Sequence, residues 1–538
     1  MDNPAFEARP WRNASALLVA VLLAGLILAL QVASGAYHCE IGEDESSHYI
    51  SGLMLHDYLA TGLGQSPLGF LRTFYAHYPL VGIGHWPPFY YLLEAAWMLV
   101  FSPARASVLL LSAAVTLATA LVLYASLARR MGPLVAAVAA GIFVAAPIVQ
   151  AGSQTVMLDV PTALACLLAM LAYVRYLANA RARDAVLFAL LAFVAMMVKG
   201  NGACLALLPP CAVLIGRRFD LLRRGTFWLP LPIVGVLAAP WYWLTYARAA
   251  AGFRFAWGFD FTLLATSWNL RFLRESLGLP IVLLAAAGFV LVVARPRRAG
   301  GLAVGAAALF AAVWIFQVVV PAALQDRYLA PALPPLLILA AHALAAILER
   351  LAPARLRPPL LAGLLGLGFL LTSADLVRKQ HHGVIEAVQQ ILAHPTQGNP
   401  AVLIAADSLQ EAEAIVEIAM HDSNRPNLFA VRGSRLLGGG GYNNQDYEPR
   451  FQSTAEVMAA IDALAIPTVL VRADGGPREW THVRQVEAAV AADPDRWHLL
   501  GRVDVPDTAP VLVYRVVGND TRPADVAGLL ALSAPHGL

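Results

Sequence analysis

The sequence predicts a mainly α, polytopic membrane helix bundle of about 11 spans, followed by a C-terminal extracytoplasmic α/β domain. Three observations predict it. Hydrophobic residues make up 59% of the chain and charged residues only 14%, a balance too apolar for a water-soluble domain. Long apolar runs recur up to about residue 375. Beyond about residue 380 the polarity returns to that of a soluble protein, and short β-type runs alternate with helical periodicity. The organisation read from this is a transmembrane module over 1–376, with a long outer loop at 36–103, and a separate domain over 380–538.

A helix needs about 20 apolar residues to cross a bilayer. Candidate spans lie near 14–35, 104–128, 133–150, 159–179, 184–200, 203–216, 227–247, 277–295, 301–320, 328–349 and 358–375. The run from Ala14 to about Ala33 lacks a small-residue cleavage site and reads as a retained first helix. The segment 87–101 is shorter and carries Glu94. Positive charge favours the cytoplasmic side, which orients the bundle. With Arg9 and Arg12 inside, the clusters at Arg129-Arg130, Arg175/Arg181/Arg183, Arg217-Arg218, Arg297-Arg298 and Arg355/Arg357 are also inside only if 87–101 does not cross. That segment is therefore expected to be an interfacial or re-entrant helix.

In the C-terminal part, 401–406, 427–431, 467–471, 497–503 and 510–516 read as strands, with helices at 408–420, 453–464 and 480–492. The alternation implies a largely parallel sheet. The run Gly438-Gly439-Gly440-Gly441 opens no helix and reads as a flexible loop. Net charge is only +3, so no nucleic-acid partner is implied. Three of the four cysteines sit in apolar segments, which supports neither a disulfide framework nor a metal cluster.

The chemistry-bearing residues collect on the outer face. Glu40-Ile41-Gly42-Glu43-Asp44-Glu45 follows the first span, and crowding of like charges there gains nothing in stability. His85-Trp86-Pro87-Pro88-Phe89-Tyr90-Tyr91 closes the first outer loop. Asp159 opens a span, Lys199 lies in the turn Lys199-Gly200-Asn201-Gly202, and Asp326-Arg327-Tyr328 ends another outer loop. Each has a plain alternative. Asp159 suits the first turn of a helix, Lys199 can snorkel, Arg327 can anchor at the interface, His85 can pack, and the aromatics fit an interfacial belt. The acidic stretch can be a solvated loop. Convergence of distant segments on one face favours function, because charge beside apolar spans is costly.

The ordered set resembles the GT-C fold, polyprenyl-phosphate-dependent glycosyltransferases, in particular the bacterial aminoarabinose and galacturonosyl transferases and relatives of the protein O-mannosyltransferases. The motifs that carry it are Asp44-Glu45, Pro87-Pro88-Phe89-Tyr90-Tyr91, Leu158-Asp159-Val160-Pro161, Lys199-Gly200 and Arg327-Tyr328-Leu329-Ala330-Pro331-Ala332-Leu333-Pro334, and they cover residues 14–375. The resemblance implies a multi-pass protein of the bacterial inner membrane with its active site on the periplasmic side. It implies an inverting transfer of sugar from a polyprenyl-phosphate donor to an extracytoplasmic lipid, glycan or protein. Asp44, supported by Glu45 and Asp159, is then catalytic, and Lys199, Arg327, Tyr328 and His85 face the donor phosphate. The chain departs from many relatives at Trp86, where they carry a basic residue before the Pro-Pro pair. No cofactor is required, since a phosphate leaving group already activates the sugar. A divalent ion, where relatives use one, would fall to Asp44, Glu45 and Asp159. Two other classes compete: a transporter or flippase of lipid-linked sugars, and a membrane-anchored glycan-binding protein. Against the first, the ionisable groups gather at one face, not at the bilayer midplane. Against the second, eleven spans exceed what anchoring needs.

A reporter fused after Arg130 is expected to read as cytoplasmic. An outside reading would mean that 87–101 crosses the membrane.

Overall fold

In the computed structural model, the structure describes residues 14–250, 252–396, 398–439, 447–472, 480–506 and 508–532. The chain divides into two compact units. One takes in the N-terminal residues to Ser34, Ile83–Tyr90 and Leu109–Arg378; the other takes in Gly35–Gly82, Tyr91–Val108 and Lys379–Leu538.

The first unit is a helix bundle, and its apolar helices make the chain a multi-pass membrane protein. Among the described residues, six helices are long and apolar enough to cross a membrane, or eight if each of two bent pairs forms one span. Eleven are expected from the sequence. The difference lies in Ala182–Val198, Leu208–Gly216 and Arg357–Leu370, which at 17, 9 and 14 residues are shorter than a single straight span. The helices pack closely because small residues line their contacts. A Cβ on Gly288 would lie 2.1 Å from the Leu339 carbonyl oxygen, and one on Gly305 would lie 2.3 Å from a Val174 methyl. Pro147 forces a 67° bend after Pro133–Ala145. The buried Gln150 amide satisfies the groups freed there, donating to the carbonyls of Ala145 (2.6 Å) and Asp375 (2.7 Å).

Basic residues expected on one side do meet within this unit. A Cβ on Gly300 would lie 2.8 Å from a guanidinium nitrogen of Arg130, next to Arg297-Arg298. Arg218 donates to the Leu177 carbonyl, and Arg175 pairs with Asp184 at 3.1 Å. Asp159 starts the 21-residue helix Asp159–Asn179, so it lies roughly 30 Å along the helix axis from that basic end.

Two stretches that lie between the expected spans, 36–103 and 248–276, are largely helical. The outer segment 248–276 contains the 19-residue helix Phe259–Leu277, which turns by 115° at Gly278 into Leu279–Ala294. Gly278 takes φ +77°, a conformation open to glycine. Mixed Arg, Glu, Trp and Phe content hid this helix from a search for apolar runs. The loop 36–103 holds Glu43–Asp57, Pro67–His77 and Phe89–Val100. The last has 12 residues, about 18 Å of helix, short of a bilayer core.

In the second unit the sheet order is Phe429–Arg432, Ala401–Ala405, Thr468–Val471, Val511–Val516, Trp497–Val503. The first two pairings are parallel and the last two antiparallel, so the sheet is mixed, not largely parallel. The closing pair reverses because only the turn region 504–510 joins Trp497–Val503 to Val511–Val516, too short for a parallel crossover. Gly438–Gly439, expected in a flexible loop, pairs with Glu448–Pro449; Gly440 and Gly441 lie outside the described residues. Buried polar links tie the first outer segment to the C-terminal region. Arg425 grips Asp57 with two bonds of 2.8 and 3.2 Å, and the Tyr78 hydroxyl donates to Asp422 at 2.5 Å.

Burial opposes ionisation of Asp57, yet His56 and Arg425 together hold its carboxyl below the usual range. A depressed carboxyl pKa adds stability above the unfolded value of about 3.9 and loses it as pH falls through the folded value. Asp57→Asn is therefore expected to cost about 2–3 kcal/mol at pH 7 by loss of a charged hydrogen-bonded pair. The gap in unfolding midpoint between wild type and variant should close on acidification below about pH 4. A gap independent of pH would contradict an ionic role.

Candidate functional site

Within the bundle unit the structure brings Asp159, Lys199, Tyr328 and Arg327 together. Asp159 occupies the first turn of its helix, where the dipole favours a carboxylate. Lys199 is the residue that ends Ala182–Val198, with φ −154° and ψ 142°, so the chain turns out of the helix there. Its Nζ donates to Asp159 Oδ1 at 2.6 Å, and the two side chains are only 7% and 4% exposed. At that burial each charge requires the other. Asp159 Oδ2 is buried with no hydrogen-bond partner among the described residues, which leaves acceptor capacity on the pair.

Tyr328 lies under both cations. Lys199 Nζ is 4.6 Å and the Arg327 guanidinium carbon 5.8 Å from its ring centre. Arg327 is aimed by Gln325, whose Oε1 accepts from Nε at 3.0 Å and from a terminal nitrogen at 2.6 Å. The short 3₁₀ helix Asp326–Ala332, with Pro331 inside it, sets this spacing and runs directly into the helix Leu333–Leu351. His85 is tied elsewhere. Its Nδ1–H donates to the Arg248 carbonyl at 3.1 Å, and its ring meets Trp86 edge-on at 4.4 Å.

Next to Gln325 is a cavity of about 400 Å³, lined by Arg254, Phe255, Leu264, Trp268, Leu324 and Gln325. Apolar and aromatic walls with one guanidinium suit a ligand that is greasy at one end and anionic at the other. Sequence reasoning missed Arg254, Trp268 and Gln325. For Arg254 and Trp268 the signal was the dense run of aromatics through 241–272, which reads equally as an interfacial belt.

Within the second unit the acidic stretch is not a solvated loop. Glu43–Asp57 is a helix, capped at Gly42, so Asp44 and Glu45 fall in its first turn. Asp44 is half-buried and Glu45 buried. Lys379, a residue the sequence pattern did not single out, donates to Glu45 Oε2 at 2.9 Å. Glu40, expected to be solvated, is fully buried and accepts backbone N–H groups from His382, Val384 and Ile385. The side chain of Glu43 lies outside the described residues. Glu94 lies against Gly52, and neither of its oxygens has a hydrogen bond among the described residues. Burial, then the nearby Glu45, pushes its carboxyl well above the ordinary range. His48, one turn after Asp44 and Glu45, meets the Tyr91 hydroxyl through Nδ1 at 2.9 Å.

Comparison with known proteins agrees with this architecture. Residues 85–243 match the family described as dolichyl-phosphate-mannose-protein mannosyltransferase. The fold is similar to that of ArnT from Cupriavidus metallidurans bound to undecaprenyl phosphate, with a TM-score of 0.54 and 14% identity over 95% of this chain and 100% of that one. The apo state of the same protein gives a TM-score of 0.55, also at 14% identity and the same coverage. A third similar structure is the archaeal oligosaccharyltransferase AglB from Archaeoglobus fulgidus in complex with an inhibitory peptide and a dolichol-phosphate. It has a TM-score of 0.53 and 12% identity over 85% of this chain and 69% of that one. No curated protein matches the sequence. The fold is GT-C, a membrane helix bundle with a C-terminal domain.

Removing one member of a buried ion pair strands the other. Lys199→Met and Asp159→Asn are each expected to lower stability, Lys199→Met by about 3 kcal/mol, while the double variant loses clearly less than the sum. Thermal unfolding of the detergent-solubilised variants measures this, and strict additivity would mean that the two groups do not act as a pair.

Proposed function

We propose that the chain is a membrane glycosyltransferase that moves a sugar from a polyprenyl-phosphate donor to an extracytoplasmic acceptor, with inversion at the anomeric carbon. The observation that carries this reading is the buried Lys199–Asp159 pair, flanked by Tyr328 and Arg327 and adjoining an apolar cavity. An anionic lipid headgroup meets two cations there. Its prenyl chain has apolar walls at Phe255, Leu264, Trp268 and Leu324, and Arg254 adds a further cation at the cavity. The family match over 85–243 and the GT-C fold support the same reading.

In the transfer, an acceptor hydroxyl oxygen attacks the anomeric carbon while the carbon–oxygen bond to the phosphate breaks. Asp44 takes the hydroxyl proton. It lies in the first turn of a helix, where the dipole favours a carboxylate. Glu45, held by Lys379, supplies negative potential beside it. The polyprenyl phosphate leaves with its charge neutralised by Lys199 and Arg327, which the protein holds in place before the reaction. Asp159 fixes Lys199. His85 is assigned to the donor side with lesser weight, because its Nδ1 is committed to the Arg248 carbonyl. The phosphate leaving group makes a metal cofactor unnecessary. We place the protein in a bacterial inner membrane, with these residues and the C-terminal domain on the periplasmic side. The two modules assigned are the transmembrane one, to about residue 376, and the α/β one from about 380.

In cells carrying Asp44→Asn, an intact polyprenyl-phosphate sugar is expected to accumulate, and one envelope modification to disappear. Loss of a general base typically costs about 10²–10⁴-fold in rate. Lipid extraction with mass spectrometry reads both effects. Unchanged lipids and glycans in the variant would remove Asp44 from the reaction.

A further inference from the structure

The geometry points to a divalent-cation site, separate from the transferase residues, formed by Glu40, His381 and Glu386 within the second unit. Glu40 follows the first apolar helix, Ala14–Ala33. His381 and Glu386 follow the last one, Arg357–Leu370. A cation held by the three would staple these two stretches of chain to each other.

Glu40 is the preorganised member. Its side chain is fully buried, Oε1 accepts from the N–H groups of Val384 (2.9 Å) and Ile385 (3.4 Å), and Oε2 accepts from that of His382 (2.9 Å). These bonds hold the carboxylate fixed at the start of the helix Val384–Ala393. His381 stands between the two carboxylates, with Nδ1 3.3 Å from Glu40 Oε2 and Nε2 3.2 Å from Glu386 Oε2. Yet His381 Nδ1 and Glu386 Oε2, both closed off from solvent, make no hydrogen bond among the described residues. The two distances reach opposite ring nitrogens, so a shared ion would take one of them, with His381 supplying one ligand atom beside a carboxylate oxygen from each glutamate. One ligand atom from each of the three lies within 4.8 Å of the others. Around tetrahedral zinc, ligand atoms sit about 3.3 Å apart, so small side-chain rotations close the set.

The donor set chooses the ion. An imidazole with two carboxylates suits zinc, whereas calcium takes six or more oxygens and magnesium keeps an octahedral oxygen shell. Two carboxylates also balance the charge of a divalent ion, and a water completes four-coordination. His381 and Glu386 are 36% and 46% exposed, which gives the ion a path in from solvent. The neighbouring His382 is occupied otherwise, meeting Glu413 Oε1 through Nδ1 at 2.7 Å. This inference does not depend on the transferase reading, since none of its ligands takes part in the transfer.

The test uses the full chain in detergent, stripped with EDTA, dialysed and titrated with zinc. Bound metal is counted by elemental analysis and the thermal shift is recorded. Wild type should hold one zinc and melt higher with it. His381→Ala and Glu386→Gln should each weaken binding at least about tenfold. Asp44→Asn should bind as wild type does. His381→Lys keeps a cation between the carboxylates. It should fold without zinc and show no thermal shift on adding it. Absence of a retained zinc in wild type, or equal zinc binding in both ligand variants, would overturn the site and leave His381 as a plain ion-pair partner. Loss of the zinc in Asp44→Asn would move the ion to the first-loop acids and equally overturn it.

Discussion

The buried contact between Lys199 and Asp159 constrains the bundle where two of its helices end. Two ionised groups taken out of water must be paired or pay a desolvation cost of several kcal/mol each. Both sit where helices end, one opening Asp159–Asn179 and one closing Ala182–Val198. Their pairing therefore fixes how two packed helices terminate with respect to each other. Tyr328 and Arg327 are then set by the 3₁₀ segment that follows, and the cavity beside Gln325 inherits its position from the same segment. A charged pair that serves only stability would be replaced readily by apolar residues of equal volume. Its place beside a second cation and a ligand-sized cavity gives it a different reason to exist.

The second unit solves a related problem by other means. The long segment after the first span buries apolar residues such as Ile50, Leu53 and Phe74, and the C-terminal region supplies polar partners besides. Arg425 on Asp57, Asp422 on Tyr78, Lys379 on Glu45 and three backbone amides on Glu40 are all buried or nearly so. Each leaves a costly unsatisfied group if broken. Asp44 thus stands on a helix whose two ends are tied down, Glu40 and Glu45 at one end and Asp57 at the other. In the proposed role of base, Asp44 would gain from that rigidity.

The apolar runs and the strand–helix alternation were legible because they rest on periodicity and length, which a single sequence carries. The strands at 401–405, 468–471 and 497–503 fall within a residue or so of where alternation places them. Helices of mixed composition were not legible. Phe259–Leu277 carries exposed charged residues and Glu43–Asp57 buried ones, and both form in the context of long-range packing. The direction of the last two strands depends on loop length against sheet geometry, which no local pattern encodes. Asp159, Lys199, Arg327 and Tyr328 were legible as charges misplaced beside apolar runs, and the structure gathers them. Lys379, Gln325 and Arg254 were not, because an isolated Lys, Gln or Arg in a polar stretch looks like any solvated residue until its partner is known.

The most direct measurement is binding of undecaprenyl phosphate to the purified protein by native mass spectrometry, with Arg327→Ala and Lys199→Ala alongside wild type. Wild type should retain one lipid phosphate per chain, and each variant should lose it while remaining folded. Equal retention by wild type and both variants, or no retention by wild type, would contradict a donor-phosphate site built on Lys199 and Arg327.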